Sequence, residues 1–178
     1  MVAEPDNLDA WAAQQRADDA IETRARSVWL RRQAEEEATW LGTLADLVDR
    51  GEVALTTIGG RIWRGVLADV GSSYCALEFE RNRVLVRLEA ITTIRFAMAE
   101  RPPTGERVPA PNELAHALAA QLYREPLVTL WFGAAPDPIH GRLVAVSDEV
   151  VTLRRVQGAA TEVARLQSIS EVLLATSG

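Results

Sequence analysis

The residues with the clearest chemical potential are arginines, which supply every one of the 19 basic side chains. A guanidinium group can bind phosphate in a fork of two hydrogen bonds and can stack on a base. Candidate contacts with a nucleic acid are Arg61, Arg64, Arg83, Arg87 and Arg165. The same arginines also fit a solvated surface, because Glu78, Glu80 and Glu89 are close to them in sequence.

Residue types for catalysis or metal binding are sparse. The two histidines, His116 and His140, are far apart and have no Cys, Asp or Glu at metal-ligand spacing. Cys75 is the single cysteine, which excludes a disulfide within the chain and a multi-cysteine metal site. No serine or cysteine triad and no phosphate-binding glycine loop is recognisable. We therefore predict a non-enzymatic protein with no catalytic residue, no metal and no cofactor.

The charge of the chain is unevenly distributed. The net charge is −6, and residues 1–52 alone carry twelve acids and six arginines. A nucleic-acid binder usually has a basic surplus, which this chain as a whole lacks. No apolar run approaches the ~18 residues of a membrane span, and the acidic first residues lack the apolar core of a secretory signal. The sequence thus predicts a cytoplasmic protein.

The arginines must be positioned by the elements around them, and the first element is helical. Residues 8–50 contain no proline. The apolar positions near the end of this segment recur on one helical face: Trp40, Leu41, Leu44, Leu47 and Val48. This pattern predicts a long N-terminal helix with Trp40 in the core and Gly51 after its last turn.

The upstream part of the predicted helix offers a candidate partner site. Val28 and Trp29 add more apolar area than the thin stripe around them can bury. An exposed tryptophan is a common anchor of protein interfaces. We expect a protein partner, or a second copy of the chain, to bind there.

After Gly51 the pattern changes to short β-prone runs separated by tight turns. Five strands are predicted at Val53–Thr57, Ile62–Val70, Tyr74–Phe79, Arg83–Leu88 and Ala90–Phe96. Gly65 lies inside a strand pattern, which indicates a bend or a close backbone approach. A proline-rich linker over 97–111 follows, then a helix capped by Asn112 and a second β block from Leu127 to Leu174.

The second β block matches the first in order and at nearly constant spacing. When Gly65 is set against Gly141, Leu67 meets Leu143. Further matched pairs are Leu55 with Leu130, Leu77 with Leu153, Arg87 with Arg165 and Ile91 with Ile169. Such a series predicts the duplication of one unit whose matched apolar positions are buried.

These residues resemble the Sm-like family of small β-barrels. Leu55, Gly60 and Gly65-Val66-Leu67 are similar to the family's first motif. Val84-Leu85-Val86-Arg87, followed by Ile91 and Ile94, is similar to its second motif. The stretch 89–94 also resembles the ending of the bacterial RNA-chaperone branch. The resemblance covers roughly residues 40–96 and 112–174 and implies short, strongly bent strands with edges that pair between subunits.

The chain departs from the family where RNA is bound. The family's acidic residue and asparagine fall near Gly71 and Cys75 in the first copy, and near Ser147 and Val151 in the second. The glycine after the motif arginine is Leu88 or Leu166, and the branch's histidine is Glu89 or Gln167. Only Arg87 and Arg165 remain at positions where the family contacts RNA.

The sequence therefore predicts an α+β, mostly β protein: a long N-terminal helix followed by two Sm-like five-stranded small barrels, each preceded by a helix. The predicted domains are 1–38, 39–96, the linker 97–111, and 112–178. The predicted function is a protein-interaction or regulatory scaffold that self-associates or binds a protein through the N-terminal helix and the barrel edges. The alternative is an RNA- or DNA-binding protein that uses the Arg-rich face of the first repeat. We predict no interaction with a membrane.

Overall fold

The computed structural model describes residues 39–97, 105, 107–156 and 160–175. Within these residues the chain forms ten strands, numbered in order: β1 Glu52–Thr57, β2 Ile62–Val70, β3 Tyr74–Phe79, β4 Asn82–Arg87, β5 Ile91–Phe96, β6 Leu127–Trp131, β7 Ile139–Val146, β8 Val150–Arg154, β9 Thr161–Arg165 and β10 Glu171–Ala175. The five strands predicted between Val53 and Phe96 are confirmed, each within one residue of its predicted ends. Their turns contain the glycines, serines and charged residues from which the strands were predicted.

The two described helices are short. Helix α1 spans Trp40–Asp46 and helix α2 spans Leu114–Ala119. Thr39 has an extended backbone, and its side chain accepts a hydrogen bond from the Gly42 N–H. A capping residue of this kind begins a helix, so the predicted continuous helix over 8–50 is wrong at this point. The helix also ends at Asp46, before the predicted end at Arg50, and residues 8–38 of the prediction lie outside the described residues.

All ten strands join in one open antiparallel sheet, in the order β5-β1-β2-β3-β4-β10-β6-β7-β8-β9. The prediction of two separate, closed five-stranded barrels is therefore wrong. The reason is the pairing of β4 with β10, which joins the first half of the chain (α1 and β1–β5) to the second half (α2 and β6–β10). Local patterning specifies strands but does not specify which strand covers an open edge.

The two halves place comparable residues at comparable points of their pairing. Each second strand has one register shift, between Leu67 and Asp69 in β2 and between Leu143 and Ala145 in β7. Leu67 and Leu143 are fully buried, as predicted. Gly65 lies so close to β3 that a Cβ atom would sit 2.4 Å from the Glu78 carbonyl oxygen. This close approach confirms the interpretation of the glycine as a contact point.

Two apolar cores lie on the two faces of the sheet at its centre. The first core contains α1 and inward residues of β1–β5, and the second contains α2 and residues of β6–β10. Strand β4 contributes to both, because Val84 and Val86 pack in the first core and Leu85 packs in the second. Strand β4 is therefore buried on both faces, as is typical of an interior strand of a sheet.

The end of the predicted linker is bound to the first half. The Ala110 N–H donates to the Val70 carbonyl, at 3.0 Å. The Asn112 carbonyl accepts from the Ser72 backbone N–H and the Ser72 hydroxyl. Asn112 is therefore not the helix cap that the sequence predicts; instead the Leu114 N–H donates to Ser73 Oγ at 3.0 Å.

Candidate protein-interaction site

The junction between the halves shows how this chain joins two five-stranded units. Residues Asn82–Val86 of β4 pair with Glu171–Ala175 of β10 in an antiparallel register. Beyond the last pair, the Arg87 N–H donates to the Ser170 carbonyl at 2.9 Å. The Arg87 guanidinium extends the contact, because Nε donates to the Ile169 carbonyl at 3.0 Å and Nη2 to the Leu166 carbonyl at 2.8 Å.

A buried ion pair also crosses the junction. Glu171 at the start of β10 has no exposed surface, and both of its carboxylate oxygens accept from the Arg61 guanidinium. The Trp63 indole N–H donates to the same carboxylate at 3.2 Å. Arg61 Nη2 also donates to the Gly133 carbonyl, at 2.9 Å. A buried carboxylate is tolerated because its oxygens find charged and neutral donors.

Aromatic rings enclose this pair. The rings of Trp63 and Trp131 meet edge to face with centroids 5.3 Å apart. The Arg61 guanidinium carbon lies 5.6 Å from the centroid of the Trp131 ring, within cation–π distance. Because Trp63 lies on β2 and Trp131 on β6, the aromatic contact also connects the two halves.

The two ends of the described sheet remain open. Strands β5 and β9 are the terminal strands, and each pairs with one neighbour only among the described residues. Val163 of β9 is 64% exposed. An open edge presents unpaired backbone N–H and C=O groups, which can pair with a strand of another chain. The open edges are the candidate interaction site.

Two of the five arginines predicted to bind a nucleic acid are bound inside the chain. Arg61 contacts Glu171, and Arg87 contacts backbone carbonyls across the junction. Arg64 is exposed on β2, and Arg165 is exposed at the end of β9. Arg83 lies on β4, with Nη1 3.7 Å from a Glu78 carboxylate oxygen. Four of the five therefore lie on three strands, β2, β4 and β9, and Arg61 lies just before β2.

Arg83 also lines an open groove of about 850 Å³ beside the junction. Tyr123, which is 74% exposed, stands in this groove with the Arg124 guanidinium carbon 4.9 Å from its ring centroid. The buried Arg83 Nε has no hydrogen-bond partner. The groove also contains Glu78 and Glu80, so its charge is mixed.

The tyrosine and the cysteine of β3 are buried rather than reactive. The Tyr74 hydroxyl donates to Asp69 Oδ2 at 2.7 Å, and burial together with this acceptor raises the tyrosine pKa. Burial, with a smaller effect of the Asp69 charge, raises the pKa of the Cys75 thiol. A neutral, inaccessible thiol is a poor nucleophile, which agrees with the interpretation of Cys75 as buried and inert.

Two further sequence predictions concern tryptophans. Val28 and Trp29, the predicted partner site, lie outside the described residues. Trp40 was expected in the core, but its side chain is 43% exposed at the start of α1. The periodic apolar residues identified the buried face of the helix correctly, since Leu44 is fully buried. Periodicity does not show how much of that face the rest of the protein covers.

The sequence analysis missed the role of Glu171. One indication of this role is present in the sequence, a single charged residue at the start of the otherwise apolar run Glu171–Ala175. The equivalent position of β5 is occupied by Thr93. A charge in such a position indicates either a solvated strand end or a buried partner. Only the fold distinguishes these two cases, because Arg61 lies 110 residues away in the chain.

Comparison with known proteins adds no assignment. No protein-family model matches the chain, and no curated protein matches it. In the described part of the chain, no group of three or more His, Cys, Asp or Glu side chains is arranged to hold a metal ion. None of the helices described is long and apolar enough to cross a bilayer.

Proposed function

We propose that the chain is a non-enzymatic scaffold that binds protein through the open edges of its sheet. The observation that carries this proposal is the sheet of ten described strands, in which the outer edge of β5 and the outer edge of β9 have no partner strand among the described residues. The centre of the sheet shows that strand edges of this chain can pair with each other, because β4 of the first half and β10 of the second half form an antiparallel pair there. Strand addition of this kind obtains affinity from backbone hydrogen bonds and specificity from side chains.

We also propose that the halves are tandem copies of one unit related to the Sm-like family. Support comes from the shared strand order, β5-β1-β2-β3-β4 beside β10-β6-β7-β8-β9, and from the matched register shifts. The missing acidic–asparagine pair favours protein over RNA as the ligand. The proposed location of this scaffold is the cytoplasm.

Affinity capture from the native extract tests the function, with the full chain and its Val163→Lys variant compared side by side. Val163 is exposed, so the substitution should leave the fold intact while placing a charge on the edge. Equal melting temperatures of the two proteins verify this. We expect the wild-type chain to retain a protein that the variant loses. Recovery of nucleic acid alone, or of the same proteins by both chains, would contradict the proposal.

The groove beside β4 supports a second candidate function, the binding of RNA or DNA. Arg83 Nε is buried there without a hydrogen-bond partner, and Tyr123 offers an exposed ring on which a base can stack. We rank this function second because Glu78 and Glu80 line the same groove. Repulsion between these carboxylates and phosphate opposes binding.

Fluorescence polarisation with single-stranded RNA and DNA tests the second candidate. Binding through phosphates should weaken steeply as salt increases, and it should decrease at least tenfold in the Tyr123→Ala variant if a base stacks on the ring. Arg154→Ala, on β8, is the control for the loss of an exposed arginine outside the groove. An absence of binding at low salt would eliminate this function.

A further inference from the structure

We infer that the groove beside β4 binds a free α-amino acid with an aromatic side chain. In this arrangement the ligand carboxylate contacts Arg83, its ammonium group contacts Glu78, and its ring packs on Tyr123. The site is separate from the sheet edges on which the proposed scaffold function depends. Its ligand also differs in charge from the nucleic acid of the second candidate function.

The groove lies between two elements that the pairing of β4 with β10 brings together. On one side is the hairpin of β3 and β4, which turns at Glu80 with a φ of +52°. On the other side is the short 3-10 turn Leu122–Arg124, which follows α2. Leu174 of β10 lies opposite Arg83 in the strand pairing and lines the same groove. The volume of about 850 Å³ is typical of a small-molecule site.

Arg83 carries a charge that the chain satisfies poorly. Its Nη1 atom lies 3.7 Å from a Glu78 carboxylate oxygen, which is too long for a hydrogen bond. Its Nε atom is buried and has no hydrogen-bond partner among the described residues, which is costly for a donor. A carboxylate can accept from two nitrogens of one guanidinium. Binding would turn the Arg83 guanidinium toward the groove and give Nε an acceptor.

A smaller hollow beside the groove provides room for this movement. Its volume is about 320 Å³, and it shares Arg83, Gln121 and Leu174 with the groove. Leu85 and Ala117 lie in its wall. Because Arg83 lines both spaces, its side chain can move between them without displacing the strand that carries it.

The acidic side chains of the groove favour a ligand with a positive charge of its own. Glu78 lies directly opposite Arg83 in the pairing of β3 with β4, and Glu80 lines the same groove. These carboxylates repel a polyanion but attract an ammonium group. In an α-amino acid the ammonium nitrogen lies only about 2.5 Å from the carboxylate carbon. The two ligand charges can therefore face an arginine and a glutamate that are neighbours.

Tyr123 offers a surface for the ligand ring. Its side chain is 74% exposed, and the Arg124 guanidinium carbon lies 4.9 Å from its ring centroid, within cation–π distance. Aromatic rings associate by stacking with an offset or by meeting edge to face. An aromatic ligand would cover part of this exposed ring, which favours it over an aliphatic one.

Isothermal titration calorimetry of the full chain with L-phenylalanine tests the inference. We expect saturable binding of one ligand per chain. Phenylalaninamide lacks the carboxylate and N-acetylphenylalanine lacks the ammonium group, so each should bind about tenfold more weakly or worse. L-Alanine lacks the ring and should also bind about tenfold more weakly or worse.

Variants of the three side chains locate the site. Arg83→Gln and Tyr123→Ala should each weaken binding of L-phenylalanine about tenfold or more, whereas Tyr123→Phe, which keeps the ring, should bind like wild type. Glu78→Gln should reduce the preference for L-phenylalanine over N-acetylphenylalanine. Arg154→Gln, at an exposed arginine of β8, is the control for the loss of a positive charge elsewhere. Since Tyr123 is exposed, its two variants still decide the question if melting temperatures show that Arg83→Gln is unstable.

An absence of saturable binding at millimolar L-phenylalanine, or equal binding of phenylalaninamide, would overturn the inference. An Arg154→Gln variant that loses binding as Arg83→Gln does would have the same consequence. RNA that binds at low salt and is not displaced by L-phenylalanine would assign the groove to the second candidate function instead. The Val163-dependent capture tests the sheet edges separately, so the scaffold function stands or fails on its own result.

Discussion

The buried ion pair at the junction provides the sharpest test of how the two halves hold together. Arg61→Met removes both charged donors from Glu171 and leaves its carboxylate with the Trp63 N–H alone. Loss of one partner from a buried pair costs about 3–5 kcal/mol. The Arg61 side chain is 22% exposed, so water offsets part of this cost, and we expect a loss of about 3 kcal/mol.

The matching change on the other side is smaller. Glu171→Leu leaves the guanidinium with the Gly133 carbonyl and with access to water, so the expected cost is about 2 kcal/mol. When both substitutions are combined, no buried charge remains without a partner. We therefore expect the double variant to lose about 2 kcal/mol, which is less than the two separate losses together and corresponds to a coupling of about 3 kcal/mol.

Urea unfolding followed by tryptophan fluorescence measures these differences, because Trp63 and Trp131 flank the pair. A loss of about 3 kcal/mol corresponds to a decrease of roughly 6–12 °C in Tm for a chain of this size. Arg154→Met, at an exposed arginine of β8, should change stability by less than about 0.5 kcal/mol and serves as the control. Additive losses in the double variant, or an Arg61→Met variant as stable as the control, would refute the assigned role of the pair.

Three further predictions concern the strands. Gly65→Ala should lower Tm more than Gly141→Ala, because the added Cβ would lie 2.4 Å from a carbonyl oxygen in the first case and 2.8 Å in the second; thermal unfolding that gives the reverse order would contradict the packing. Tyr74→Phe should cost about 1 kcal/mol at neutral pH through loss of the bond to Asp69. Because folding raises the pKa of Tyr74, the stabilisation by its hydroxyl is fully present below pH ~10 and is lost as the pH rises above that value. Urea unfolding above pH ~10 should therefore show a smaller stability difference between wild type and variant. Cys75 should react with a thiol reagent only as fast as the protein unfolds, and rapid labelling in buffer at neutral pH would show that the site is accessible.

The strands were predictable because their signal is local. The signal consists of alternating apolar residues, turn residues between the runs, and a glycine where two strands approach closely. Each of these features depends on residues only a few positions apart. Matching of Leu67 with Leu143 predicted their burial for the same reason, since each faces the interior of its own half. The end of α1 was less predictable: it lies at Asp46, well before Gly51, which has φ +118° and turns the chain into β1.

The candidate site was predictable only in part. The family resemblance pointed to edges that pair, but it left open whether the two units pair within one chain or with another copy, and the pairing of β4 with β10 is internal. Arg87 and Arg165 look equivalent in the sequence, yet Arg87 binds carbonyls across the junction and Arg165 is exposed. The two arginines differ because β4, which carries Arg87, pairs with β10, whereas β9, which carries Arg165, is a terminal strand of the described sheet.

By itself the sequence determined the strand composition, the positions of the turns and the apolar residues that fill each half, because these depend on periodicity over short distances. The tertiary structure decided that the strands form one open sheet rather than two closed barrels, and that Glu171 is buried opposite Arg61. Pairing between strands and between charges over 110 residues of chain has no local signature. It follows from the mutual fit of surfaces that exist only once each half has folded.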